Sequence, residues 1–228
     1  MMFSTKCLFK SSEKPLRYTA LLGSLLIIFV VYPFVPDLLP RDILLDFFIS
    51  FVALTALYSV CSKTSRFFVS LFLVTPLVIF SILHYFNESL VFMLLSCISK
   101  IIFLLYIIVL SLMYLVKTNK VERETIFGAI SIYLLLALFW AHIFNLIEVL
   151  MPNSFQGFSI TADHNILSSL FYFSLTTIST LGYGDISPVS LPAQILSTLE
   201  AITGQLFLAI LIARLIGLHI IKGNHYGK

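Results

Sequence analysis

Six long apolar runs, each close to the length that crosses a lipid bilayer, constrain this chain more than any other feature. A hydrocarbon core about 30 Å thick needs roughly 20 residues of helix. Bounded by charge or Pro, the runs fall near residues 18–35, 43–61, 67–84, 90–116, 126–148 and 191–217. A seventh apolar stretch, 165–178, is too short to cross. It lies between the polar turns Thr161-Ala162-Asp163 and Gly182-Tyr183-Gly184-Asp185, and reads as a re-entrant or buried amphipathic helix. Charged residues make up 11% of the chain, against about 25% in a soluble domain, too few to clothe a water-facing surface. A soluble globule is thereby excluded. The net charge of +3 comes from scattered bases, which excludes a nucleic-acid footprint. Cys7, Cys61 and Cys97 have no CxxC spacing and are expected to be free thiols, with neither a disulfide framework nor a zinc knuckle.

Lys and Arg set the orientation, because loops rich in them stay on the cytoplasmic side. With a cytoplasmic N-terminus, that side holds twelve of the fourteen basic residues, while Arg41 lies outside and Lys100 falls within the fourth span. Six spans then return the C-terminus to the cytoplasm. Lys14 and Arg17 precede the first run, but no small-residue cleavage site follows Val31-Tyr32-Pro33, so a retained helix is expected rather than a removed leader. The organisation expected is a cytoplasmic segment 1–17, a four-helix membrane unit 18–117, a pore unit 118–221 and a tail 222–228. No ligand-binding domain is expected in these short cytoplasmic parts.

The connection between the fifth and sixth spans contains Thr176-Thr177-Ile178-Ser179-Thr180-Leu181-Gly182-Tyr183-Gly184-Asp185, directly after the short apolar helix. This resembles the potassium-channel signature Thr-x-x-Thr-(Val/Ile/Leu)-Gly-Tyr-Gly-Asp, on which Thr177, Thr180, Leu181, Gly182, Tyr183, Gly184 and Asp185 all fall. The resemblance implies an all-α integral membrane protein with six transmembrane helices, a pore helix 164–178, a filter 180–185 and an inner helix 191–217. It also implies a homotetramer, since each chain supplies one filter strand and four rings of backbone carbonyls must replace the hydration shell of K⁺. By the same resemblance the ion-binding positions are Thr180, Leu181, Gly182, Tyr183 and Gly184, with K⁺ held at Thr180, Leu181, Gly182 and Tyr183. Carbonyls can line one axis only if the backbone alternates in handedness, and Gly182 and Gly184 accept positive φ without a Cβ clash. Thr177, Asp185, Tyr172 and Phe173 would support the filter, Tyr183 packing on Tyr172 and Phe173 where many relatives carry Trp-Trp. Asp163 would cap the short helix, whose C-terminal dipole end favours a cation below the filter.

The resemblance covers about residues 118–218. Within it, Gly204 aligns with the hinge at which inner helices of the family bend, although a small residue there equally serves close helix packing. Glu200 and His164 are candidates for pH or filter modulation, Glu200 also reading as a hydrogen-bonded structural acid. His142 reads as a packed core histidine. Voltage-gated relatives carry a base at every third position of the fourth span, whereas residues 96–116 hold only Lys100, so voltage dependence is expected to be weak or absent. Lys100 itself would snorkel outward or pair with Asp46 or Glu88. No histidine pair has metal-ligand spacing and no base stands beside Ser174, Thr176 or Thr177, so no enzyme and no cofactor is expected. The expectation is passive K⁺ conduction across a plasma or bacterial inner membrane, with lipid, K⁺ and copies of the same chain as partners. The alternatives are a nonselective cation channel, a non-conducting partner subunit and an ion-coupled transporter, for which inverted repeats are not evident.

Overall fold

A computed structural model describes residues 17–31, 34, 48–56, 64–87, 89–118, 122–158 and 166–223. Asp163, His164, Cys7, Cys61, Asp46 and Glu88 lie outside these residues. The described chain is helical: α1 (Arg17–Val31), α2 (48–56), α3 (Thr64–Asn87), α4 (Leu90–Lys117), α5 (Arg123–Leu150), α6 (Ile166–Ile178) and α7 (Leu191–Gly223). Two short strands, β1 (Phe155–Gln156) and β2 (Ser187–Pro188), pair antiparallel in the connections flanking α6, Phe155 opposite Pro188. Among the described residues, four helices, 68–87, α4, α5 and 191–218, are long and apolar enough to cross a membrane. Helix α1, at 15 residues, is about 22 Å long and falls short of a full crossing by itself.

Helix α5 is the hub: α1, α4, α6 and α7 all pack on it, and α3 packs on α4. The α4 residues Cys97, Lys100, Phe103, Leu104, Ile107, Ile108, Ser111 and Leu115 are buried, the i, i+3, i+4 spacing of a single helix face. Asn145 of α5 donates to Cys97 Sγ at 3.1 Å in that seam. Lys100 is buried rather than turned outward, and His142 of α5 lies within reach of its charge. Where α1 begins, Glu124 of α5 accepts from Tyr18 N at 2.7 Å and from the Thr19 hydroxyl at 2.8 Å. A carboxylate at this end satisfies otherwise orphaned N–H groups and the positive end of the helix dipole. Gly128 lets the Tyr18 ring sit against α5, and that ring packs on Tyr114 of α4, so three helices meet around one tyrosine.

Helix α6 is wedged between α5 and α7. Its Phe173 packs on Phe144 of α5 and Phe155 of β1 at 5.3 Å each, and its Phe171 packs on Phe29 of α1 at 5.1 Å. By contrast, α7 leaves Leu191, Ile195, Leu199, Ile202, Leu206, Ile210, Ile212 and Ile216 exposed within one chain.

Candidate pore site

The site is built where the C-terminal half of α6 meets α5 and α7 at two successive turns. At the first level the Ser174 hydroxyl is 2.7 Å from the Ala137 carbonyl of α5 and in hydrogen-bond contact with Glu200 Oε1 of α7. One turn further along α6, Tyr133 of α5 donates to the Ile178 carbonyl at 2.9 Å, and Gly204 of α7 lies against the same residue. A Cβ on Gly204 would stand 2.6 Å from Ile178 Cγ1 and 2.6 Å from Ile178 O. The two levels are four residues apart on every helix, 133 and 137, 174 and 178, 200 and 204, which is the i, i+4 neighbour spacing of helical faces. Glu200 and Ser174 are fully buried.

Helix α6 then ends in a Schellman motif. Thr180 N donates to the Thr177 carbonyl at 3.0 Å and Leu181 N to the Thr176 carbonyl at 2.8 Å, the paired bonds of that cap. The residue at its left-handed position is Thr180, with φ of +62°, where Gly is usual. Gly182 and Gly184 follow with φ of +53° and +78°, so every second residue from 180 to 184 is left-handed. The β-branched Thr180 is costly in that region, and the two cap bonds hold it there. The handedness expected of the glycines is present, and the strained threonine is an addition that no glycine announced.

Beyond the alternating segment, Asp185 is tied down by Tyr172. The tyrosine hydroxyl donates to Asp185 Oδ2 at 2.7 Å, and Ile186 N donates to Oδ1 at 3.0 Å. The Tyr172 hydrogen bond is the main reason the Asp185 carboxyl is held below its ordinary pKa. Tyr172 and Phe173 thus face different ways, Tyr172 to the Asp185 turn and Phe173 into the Phe144 and Phe155 cluster. Tyr183 is exposed in the single chain. Gly157, at φ +95°, lies so close to the Asp185 carbonyl that a Cβ would stand 1.8 Å from its oxygen. Glu148 accepts from Asn153 N at 2.8 Å and Phe155 N at 3.2 Å, which anchors the same loop to the end of α5.

Among the residues of this site that sequence does not single out are Ala137, Tyr133 and Gly157. Tyr133 and Ala137 act through their positions on α5, and apolar spacing gives no sign of which carbonyl or hydroxyl will meet α6. Gly157 carried a weak signal as an isolated glycine beside a short strand. Among the described residues no group of three or more His, Cys, Asp or Glu could hold a metal ion.

A short helix, a segment of alternating left-handed backbone and a second long helix thus follow one another between residues 166 and 223. Residues 128–218, α5 through α7, match the family described as "Ion channel". Two-pore potassium channel 4 of Arabidopsis thaliana is 40% identical over 58 residues, covering 25% of this chain and 20% of that protein. The match therefore spans about a fifth of the relative's length. No solved structure matches. These similarities relate residues 128–218 to ion channels rather than to an enzyme.

Proposed function

We propose that this chain is one subunit of a homotetrameric, potassium-selective channel with six spans per subunit, conducting K⁺ passively and with little or no voltage dependence. The observation that carries the reading is the left-handed backbone at Thr180, Gly182 and Gly184, placed at the end of a short helix clamped between two long ones. Alternating handedness brings successive carbonyls toward one side, which suits dehydrated K⁺ and costs too much where no ion or water meets them. In this reading Thr180, Leu181, Gly182, Tyr183 and Gly184 line the ion queue. Thr177, Asp185 and Tyr172 hold the strand, and Phe173 anchors the pore helix from behind.

Assembly supplies what one chain lacks. Leu181 and Tyr183 are 54% and 68% exposed within one subunit, and most of the large apolar side chains of α7 are exposed as well. Apolar helices with such faces pack on one another or on lipid, and fourfold closure surrounds the filter with protein. With Lys100 as the one base between residues 96 and 116, the fourth span lacks the several charges that steep voltage gating needs.

Purified protein in liposomes, loaded with potassium or sodium salts and assayed for cation efflux, tests this directly, with native mass spectrometry giving the subunit count. Potassium efflux well above sodium efflux from a four-chain particle is expected. Equal rates for the two cations, or a stoichiometry that cannot close around one axis, would overturn it.

A further inference from the structure

We propose that Glu200 works as a protonated carboxylic acid, donating to Ser174, which in turn donates to the Ala137 carbonyl, so that one proton fixes the pore helix between the outer and inner helices. The inference rests on the channel reading for its consequence, and on donor counting for its chemistry. The Ser174 hydroxyl contacts two oxygens, Ala137 O at 2.7 Å and Glu200 Oε1. A hydroxyl has one hydrogen to give, and a backbone carbonyl has none. If Glu200 were ionised it too could only accept, and two acceptors would compete for a single hydrogen in a fully buried place. A proton on Glu200 satisfies both contacts: acid to hydroxyl, hydroxyl to carbonyl.

The surroundings favour the same state. Glu200 is fully buried, and its other oxygen, Oε2, meets no hydrogen-bond donor among the described residues. An ionised carboxylate so placed would be desolvated without compensation, whereas a neutral acid tolerates one unpaired carbonyl oxygen. No cation among the described residues faces it. On α5, Tyr133 is the titratable group close enough to feel a charge on Glu200, and its hydroxyl is used by the Ile178 carbonyl. His142 of α5 feels Lys100 of α4 instead. Tyr172, the titratable group of α6, is engaged with Asp185. On α7 the nearest other charge is Arg214, about four turns further in and bonded to the end of α4.

Losing the proton would leave either Ala137 or Glu200 without its hydrogen and loosen the first of the two levels that hold α6. Because the Schellman cap and the left-handed strand continue from that helix, the disturbance would reach residues 180–184. Glu200 is therefore a positioning residue, and alkaline pH should depress conduction through it.

Infrared difference spectroscopy of the full-length protein in lipid, wild type against Glu200→Gln, reads the protonation without any current. A carbonyl band of a neutral carboxylic acid, absent in Glu200→Gln and shifted in Ser174→Ala by loss of its acceptor, is expected at neutral pH. Carboxylate bands alone at position 200 would overturn the proposal. In the efflux assay, Glu200→Gln, whose amide can donate as the acid does, should keep flux within about threefold and lose the alkaline decline, whereas Glu200→Ala should lose flux at least tenfold. A tenfold loss in Glu200→Gln at neutral pH, or an alkaline decline it retains, would overturn the positioning role. A wild-type protein with the acid band but no cation flux would support the protonated acid and count against the channel reading, so the two failures are distinguishable.

Discussion

Gly204→Ala is the substitution whose cost can be worked most directly from geometry. The added Cβ would sit 2.6 Å from both Ile178 Cγ1 and Ile178 O, against about 3.5–4.0 Å for a comfortable carbon contact, so α6 and α7 must part by about 1 Å. Overpacking of this kind costs about 1–3 kcal/mol. Ala returns about 1 kcal/mol by its better helix propensity. The side-chain half of the clash can be relieved by rotating Ile178, but the carbonyl half cannot, because that oxygen accepts from Tyr133 at 2.9 Å and moving it weakens a bond worth about 1 kcal/mol. The net expectation is a loss of about 1–2 kcal/mol, read by thermal unfolding of the purified protein in detergent. Adding Ile178→Ala removes Cγ1 but leaves the backbone oxygen, so the double variant should recover only part of the strain in a double-mutant cycle. A Gly204→Ala protein as stable as wild type, or more stable by the propensity gain alone, would refute the close-approach reasoning. A gating hinge without a packing role predicts that result, with altered opening and unaltered stability.

Three further perturbations follow from the same contacts. Tyr172→Phe removes the donor that keeps Asp185 ionised to unusually low pH; that stabilisation is present above the ordinary carboxylate pKa and lost as pH falls through the lowered one. The variant should therefore lose current at higher external pH than wild type, and an unchanged acid midpoint would show that the bond does not govern Asp185. Gly157→Ala must accommodate a Cβ 1.8 Å from the Asp185 carbonyl at φ +95°, and should cost about 2–5 kcal/mol, seen as early exchange of the β1 and β2 amides; wild-type protection there would contradict the contact. Arg214 donates to the carbonyls of Val116 at 2.7 Å and Thr118 at 2.9 Å, capping the negative end of α4 from α7. Arg214→Gln should cost about 1 kcal/mol and raise hydrogen exchange around residues 114–118, and equal exchange in the two proteins would dismiss the cap.

The parts of this protein that sequence could convey are those whose signal lies within one segment. Long apolar runs announced α4, α5 and α7, and Gly182 and Gly184 announced a left-handed strand because only backbone without a Cβ enters that region freely. Thr180 shows the limit: its φ of +62° comes from the Schellman bonds that end α6, and a β-branched residue advertises the opposite. The Ala137, Ser174 and Glu200 contact was illegible for another reason. Its members come from three helices, 37 and 26 residues apart from Ser174, and only packing decides that one hydroxyl serves both partners. Phe173 was paired with Tyr172 by adjacency, yet neighbours on a helix point about 100° apart, and the structure sends one to the aromatic core and the other to Asp185.

The central claim is that the left-handed strand 180–184 selects potassium. Its most direct test is the reversal potential of the purified protein in planar bilayers with potassium on one side and sodium on the other, wild type beside Gly182→Ala. The φ of +53° at Gly182 is hostile to an L side chain, so the variant should lose discrimination while the wild type reverses near the potassium equilibrium potential. A wild-type current reversing near zero, or a Gly182→Ala channel as selective as its parent, would contradict the account.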